Sequence, residues 1–175
     1  MRLLPFPVPI TADQEIAACI AMRKQWTCYK TVLLFLSMKD EIDTEPLIKA
    51  VFEDKKSVFV PKIIKNSLHF FRITDLNGLE IGAFNIREPR SGVELTDQDF
   101  PACIVTPGLA FDRNGRRLGR GKGYYDRFFA EIDRKNLPYV SIGLCSAEHV
   151  VDEVPFQAFD KKVDVVIVVD SVKKF

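Results

Sequence analysis

Four short apolar runs constrain this chain more than any other feature: "TVLLFLS" (31–37), "ACIVTPG" (102–108), "YVSIGL" (139–144) and "VDVVIVVD" (163–170). Each is too short for a helix and lacks the polar alternation of a strand with one wet face, so each reads as a strand buried on both sides. Such strands need a covering layer on either face, and helices linking parallel strands supply it. One such helix is predicted from about Glu45 to Glu53, with Thr44 as N-cap, Glu45 and Pro46 in the first turn, and Leu47, Ile48, Val51 and Phe52 toward a core. It leads from "TVLLFLS" to "SVFVPKI" (57–63), and strand, helix, strand implies a parallel crossover. "LHFFRIT" (68–74) reads as a further strand and "GAFNIREPRSG" (82–92) as an irregular segment rich in turn formers.

An opening helix is predicted over "TADQEIAACIAMRKQW" (11–26), capped by Thr11, with Asp13 and Glu15 in its first turn and Ile16, Ile20 and Met22 on one side. Another is predicted from about Tyr124 to Lys135, where Tyr124, Tyr125, Phe128, Phe129 and Ile132 share one side. The expected fold is an α/β three-layer sandwich around a mostly parallel, mixed sheet. No repeat or linker divides the chain, and 175 residues suit a single domain over 1–175.

Composition narrows the function. The formal net charge is +1, so a nucleic-acid partner would have to be met by a local cluster such as Arg113, Arg116, Arg117, Arg120 and Lys122. Aromatic residues do not interleave with that cluster, and no nucleic-acid partner is expected. Cys19, Cys28, Cys103 and Cys145 form no CxxC pair, and His69 and His149 alone could join them, which argues against structural zinc. No apolar run approaches the ~20 residues that span a bilayer, and prolines break the start "MRLLPFPVPI" where a signal peptide would be continuous. A cytoplasmic setting without a membrane partner is the expectation.

In open α/β sheets ligands sit beyond the carboxyl ends of the strands, so the loops "MKDEID" (38–43) and 107–123 are expected to face one cleft. The second loop lacks hydrophobic periodicity and is longer than the ~12 to 15 residues beyond which a structureless connection is usually functional or disordered. It contains "RLGRGKGYYDR", with Gly119, Gly121 and Gly123 at alternate positions. Tyr124 stands where a dinucleotide fingerprint needs its last glycine, and no Ser or Thr follows Lys122 as a P-loop requires. The mechanism nonetheless holds: glycines let several N–H groups converge, the loop feeds a helix N-terminus, and Arg120 and Lys122 add charge-assisted bonds to an anion. Asp126, in the first helical turn, complements the helix dipole or holds Mg²⁺ beside a phosphate.

The segment "VTPGLAFDRNGRRLGRGKGYYDRFF" (105–129) resembles the signature of the 5-formyltetrahydrofolate cyclo-ligase, or 5,10-methenyltetrahydrofolate synthetase, family. "FLSMKDEIDTEPLIKAVF" with "VFVPKI", then "FNIREP" and "FDKKVDVVIV", are similar to further family segments, so the resemblance runs from about Thr31 to Val169. It implies an ATP- and Mg²⁺-dependent conversion of 5-formyltetrahydrofolate to 5,10-methenyltetrahydrofolate, with ADP and phosphate released. It further implies ATP contacts from Arg117, Gly119, Arg120, Gly121, Lys122, Gly123, Tyr124 and Tyr125, with Arg120, Lys122 and Tyr124 at the reacting centre. Folate would meet Met38, Glu41, Phe84, Arg120 and Tyr124, while Asp126 and Asp160 would hold Mg²⁺. The substrate, with or without a polyglutamate tail, would be turned over by a monomer. Family members usually open with a helix bearing Lys and Arg a turn apart; here that pair is not found, and Arg23 and Lys24 stand in another register. This difference keeps open a second reading, a folate- or nucleotide-binding protein with weak or lost turnover.

Overall fold

The structure, a computed structural model, describes residues 22–169. In chain order these form helix α1 (helical over 22–26), β1 (Thr31–Leu33), α2 (Glu45–Glu53), β2 (Ser57–Ile64), β3 (Ser67–Ile73), β4 (Leu79–Ile81), β5 (Arg87–Pro89), β6 (Ala102–Thr106), β7 (Ala110–Phe111), β8 (Arg117–Leu118), α3 (Tyr124–Arg134), β9 (Tyr139–Ser146) and β10 (Val165–Val169). Six strands make one sheet in the order β10-β9-β6-β1-β2-β3. Every pairing in it is parallel except β2 with β3, a hairpin whose two turn residues, Lys65 and Asn66, both have positive φ. The expected mixed, mostly parallel α/β sheet is what forms.

Period-two alternation explains the layers. Val32, Val58, Val60, Cys103 and Val105 point into the core shared with α1 and α2, where Met22, Trp26, Leu47, Ile48 and Val51 are buried. Leu33, Phe59, Ala102 and Ile104 point the other way, onto Phe129 and Ile132 of α3. Because both faces are covered, these strands read as unbroken apolar runs. The Trp26 indole N–H donates to Asp54 Oδ2 at 2.8 Å and ties α1 to the end of α2, while Arg23 pairs with Glu53 at 2.7 Å. No described helix is long and apolar enough to cross a membrane.

Several expectations need correction. Of the stretch expected as the opening helix, only 22–26 is described, and it is helical; Thr11, Asp13, Glu15, Ile16, Cys19 and Ile20 lie outside the described residues. Thr44 precedes α2 as expected, but its hydroxyl donates to the Phe35 carbonyl at 2.7 Å instead of capping, and Asp43 Oδ1 accepts the Glu45 N–H at 3.0 Å. Thr44 is fully buried, where the Phe35 carbonyl leaving the sheet needs a donor more than a solvated helix end does. "TVLLFLS" is strand only over Thr31–Leu33; the run stays buried to Leu36 as it leaves the sheet toward the cleft. The segment read as irregular before residue 92 contains β5, paired with β4 around a tight tip at Ala83–Asn85.

The region 107–123 is also built rather than structureless. β7 and β8 form a ribbon around the buried Asp112, whose Oδ1 accepts the N–H groups of Asn114 (2.8 Å) and Arg116 (3.1 Å) and whose Oδ2 accepts that of Val154 (3.0 Å). Phe111 docks the ribbon on β9 by lying against Gly143, where an added Cβ would meet the ring at 2.2 Å. A side chain at 143 would push the ribbon off the sheet.

Candidate active site

The loops that leave β1 and β6 meet over the carboxyl ends of the parallel strands. Between them lies a cleft of about 630 Å³, bounded also by the β4–β5 tip and by residues 155–160. That size suits a small-molecule ligand.

On the β1 side, residues 38–41 close a turn on themselves. The Glu41 N–H donates to the Met38 carbonyl at 3.1 Å, and the Met38 N–H donates to Glu41 Oε2 at 2.8 Å. Glu41 is thereby held in the wall with only 11% of its side chain exposed, and burial pushes its carboxyl above the ordinary range. Residues 157–160 repeat the device: Asp160 Oδ2 accepts the Gln157 N–H at 2.7 Å, and the Asp160 N–H donates to the Gln157 carbonyl at 3.1 Å.

On the β6 side, the glycine loop turns into α3 at Gly123, which takes the left-handed conformation with φ +66° that a side chain would resist. The loop is braced from outside. Arg127 donates to the Lys122 carbonyl at 2.7 Å and to the Asn66 carbonyl at 3.1 Å, and the Tyr124 hydroxyl donates to Asn66 Oδ1 at 3.1 Å. Asn66 and Arg127 are not evident as site residues from the sequence; the short "KN" between two apolar runs marks a two-residue hairpin but not what the hairpin touches. Tyr125 turns inward onto Phe70 and Phe129, and burial raises its phenol. Tyr124 stays half-exposed at the cleft.

Arg120 bridges the two sides. Its guanidinium donates to both carboxylate oxygens of Asp40 (3.0 and 2.8 Å) and lies 3.6 Å from Glu41 Oε1. These hydrogen bonds from Arg120 hold the Asp40 carboxyl below its ordinary range. Arg117 pairs with Asp126 at 3.3 Å and Arg116 with Glu153 at 2.9 Å. Lys122, exposed on the cleft, has no ion pair among the described residues.

The remaining expected residues also line the cleft. Met38 lies beside Glu41, and Phe84 stands on the β4–β5 tip, 56% exposed, with φ +56° and ψ +25°. A bulky side chain in that region is strained, and such strain clusters at ligand clamps. Lys62 bonds the base of the tip through Glu88 (3.2 Å) and the Pro89 carbonyl (3.0 Å).

The donor set suits a small hard cation. Asp126 Oδ1 is taken by Arg117 (3.3 Å) and by the Lys161 N–H (3.0 Å), and Asp160 Oδ2 by Gln157; Asp126 Oδ2 and Asp160 Oδ1 accept no hydrogen bond from a described residue. Two hard oxygens on one cleft match Mg²⁺, which takes one or two carboxylates and fills its shell with water and substrate phosphates. No group of three or more acidic, His or Cys residues that could form a metal cage occurs among the described residues.

Comparison with known proteins bears on the whole cleft. A mouse 5-formyltetrahydrofolate cyclo-ligase is 32% identical over 161 residues, 87% of this chain and 79% of the relative. A probable 5-formyltetrahydrofolate cyclo-ligase of Schizosaccharomyces pombe is 30% identical over 178 residues, 93% of this chain and 87% of the relative. The solution structure of Aquifex aeolicus 5,10-methenyltetrahydrofolate synthetase superposes with a TM-score of 0.73 at 30% identity, covering 93% of this chain and 82% of that one. A Mycoplasma pneumoniae 5,10-methenyltetrahydrofolate synthetase, at 19% identity and a TM-score of 0.65, shares the fold. The 5-formyltetrahydrofolate cyclo-ligase family profile matches residues 6–169, spanning the loop of Glu41, the glycine loop and the segment of Asp160, and the chain belongs to that family of enzymes.

Proposed function

We propose that this protein cyclises 5-formyltetrahydrofolate to 5,10-methenyltetrahydrofolate at the expense of ATP. The observation that carries the reading is the facing of the two loops: a buried carboxylate suited to a pterin edge stands across one cleft from a glycine loop suited to phosphates, and Arg120 reaches both sides. A carboxylate accepts two N–H bonds from an aminopyrimidine, which assigns the pterin to Glu41, with Met38 and Phe84 packing on its ring faces.

The formyl oxygen is a weak nucleophile and a poor leaving group. In the proposed reaction it attacks the γ-phosphorus of ATP and ADP departs; N10 then attacks the formyl carbon, loses its proton, and the ring closes as inorganic phosphate leaves. Phosphoryl transfer of this kind is positioning plus charge stabilisation. Backbone N–H groups of Gly119 to Gly123 and the N-terminus of α3 receive the phosphates, and Lys122 neutralises charge building on the transferred group. Arg120 is exchanged from Asp40 to the formyl phosphate, and Tyr124 orients the formyl end. Asp126 and Asp160 would hold Mg²⁺, which would offset charge on the phosphate oxygens. The reading extends to a monomer acting in the cytoplasm on folates with or without a polyglutamate tail.

The test is growth of the near-ultraviolet band of the methenyl product when the purified chain meets 5-formyltetrahydrofolate, ATP and Mg²⁺. Lys122→Ala is expected to lower kcat by about 10²-fold with little change in folate KM, by analogy with loss of a transition-state donor. Glu41→Ala is expected chiefly to raise folate KM. A folded protein that binds folate without releasing ADP would instead be the binding protein without turnover, and equal activity in parent and both variants would refute the site.

A further inference from the structure

The ion pair behind the glycine loop is too enclosed for the role its neighbours have. Arg117 belongs by resemblance with the ATP contacts, yet only 5% of its side chain is exposed. Its Nη2 lies 3.3 Å from Asp126 Oδ1, its Nη1 lies 3.4 Å from the Pro107 carbonyl, and its guanidinium lies 5.5 Å from the centre of the Tyr125 ring. Its Nε is buried without a partner among the described residues. Little of that guanidinium is left to enclose a triphosphate; what it does reach is a carboxylate.

We propose that Arg117 is a positioning residue that acts through Asp126. With the Lys161 N–H at 3.0 Å it occupies Oδ1, which leaves Oδ2 alone for a divalent cation. Mg²⁺ demands near-octahedral geometry and keeps several waters, so a carboxylate locked into one-oxygen coordination suits it better than one free to rotate or bind through both oxygens. The second donor adds register. Lys161 directly follows Asp160, so the oxygen that orients Asp126 also fixes the segment carrying the other carboxylate. This inference rests on the reading of Asp126 as a metal carboxylate.

The experiment uses Mn²⁺ as probe on the full chain, with free ion read by electron paramagnetic resonance and metal-free ADP binding read by calorimetry. Arg117→Met is expected to weaken Mn²⁺ binding by about tenfold or more, the usual size for loss of an outer-shell partner, and Arg117→Lys, which keeps charge and one donor, to recover part of it. Metal-free ADP affinity is expected to move by less than about twofold, and the Arg117→Met, Asp126→Asn double variant to bind Mn²⁺ no more weakly than Asp126→Asn alone, the non-additivity of residues that act as one unit. Unchanged Mn²⁺ affinity in Arg117→Met, additive losses, or an equal loss of metal-free ADP affinity would overturn the proposal. Should Arg117→Met fail to fold, Arg117→Lys decides alone: an Mn²⁺ affinity equal to the parent's overturns the proposal, and a selective fall supports it. Mn²⁺ affinity unaffected by Asp126→Asn would overturn the metal reading and this proposal together. A parent chain that makes no methenyl product while the Mn²⁺ pattern holds would refute the reaction and leave Arg117's role intact.

Discussion

Burial in the cleft wall raises the Glu41 carboxyl, against the Met38 N–H bond and the Arg120 charge, which pull it down. A carboxyl with a higher pKa in the folded chain holds more protons there than in the unfolded chain. The stability it contributes is therefore greatest at low pH and falls as pH rises from the ordinary carboxylate range through its raised value. Pterin binding needs the ionised form and runs the other way: apparent folate KM is expected to rise as pH falls through that same window. Glu41→Gln should raise KM by about tenfold or more, the size of a lost charge-assisted bond, and remove the pH step. Initial rates across pH measure both, and a step that persists in the variant would assign the titration to another group. Glu41 is singled out as the acid proposed for the pterin by the resemblance of "MKDEID" to a family segment, since the loop also holds Asp40 and Asp43. The turn that holds it is a local contact with Met38, whereas the pairing of Asp40 beside it with Arg120 depends on a contact made 80 residues away.

At the scale of elements, the ribbon of β7 and β8 carries the glycine loop, and Asp112 holds the ribbon. Asp112→Ala removes an acceptor from three buried or half-buried N–H groups, and the expected cost is about 3 kcal/mol, read as a lower urea midpoint at unchanged slope. An equal midpoint in the variant would mean that the ribbon is held by Phe111 instead. The long strands and α2 and α3 were legible in the sequence because each repeats a burial pattern over enough residues to be seen; α2 begins and ends where its Leu47, Ile48, Val51 spacing predicts. β7 and β8 have two residues each and no period to display, so 107–123 looks structureless. The signal available there was turn chemistry. "DRNG" offers an Asp able to bond its own following backbone and a Gly that takes positive φ. The β4–β5 tip had weaker clues still, since Asn85 suits a left-handed turn but Phe84 does not.

Across the whole molecule, one sheet presents two loops from neighbouring parallel strands, and the cleft's place follows from strand order more than from any single motif. The bridge from Arg120 to Asp40 gains a meaning at this scale. Its partners are 42% and 59% exposed, so the pair is worth at most about 1 kcal/mol and yields readily to a better anion. Asp40 is in effect a resident competitor: an incoming anion must displace a carboxylate already in place, at a cost of no more than about 1 kcal/mol. Asp40→Asn is accordingly expected to let sulfate stabilise the protein against heat at up to about fivefold lower concentration than the parent needs, and equal responses would show that the carboxylate does not guard the site. Arg120 is thus held over the cleft by a weak pair, and any anion that binds it more strongly than Asp40 does takes its place.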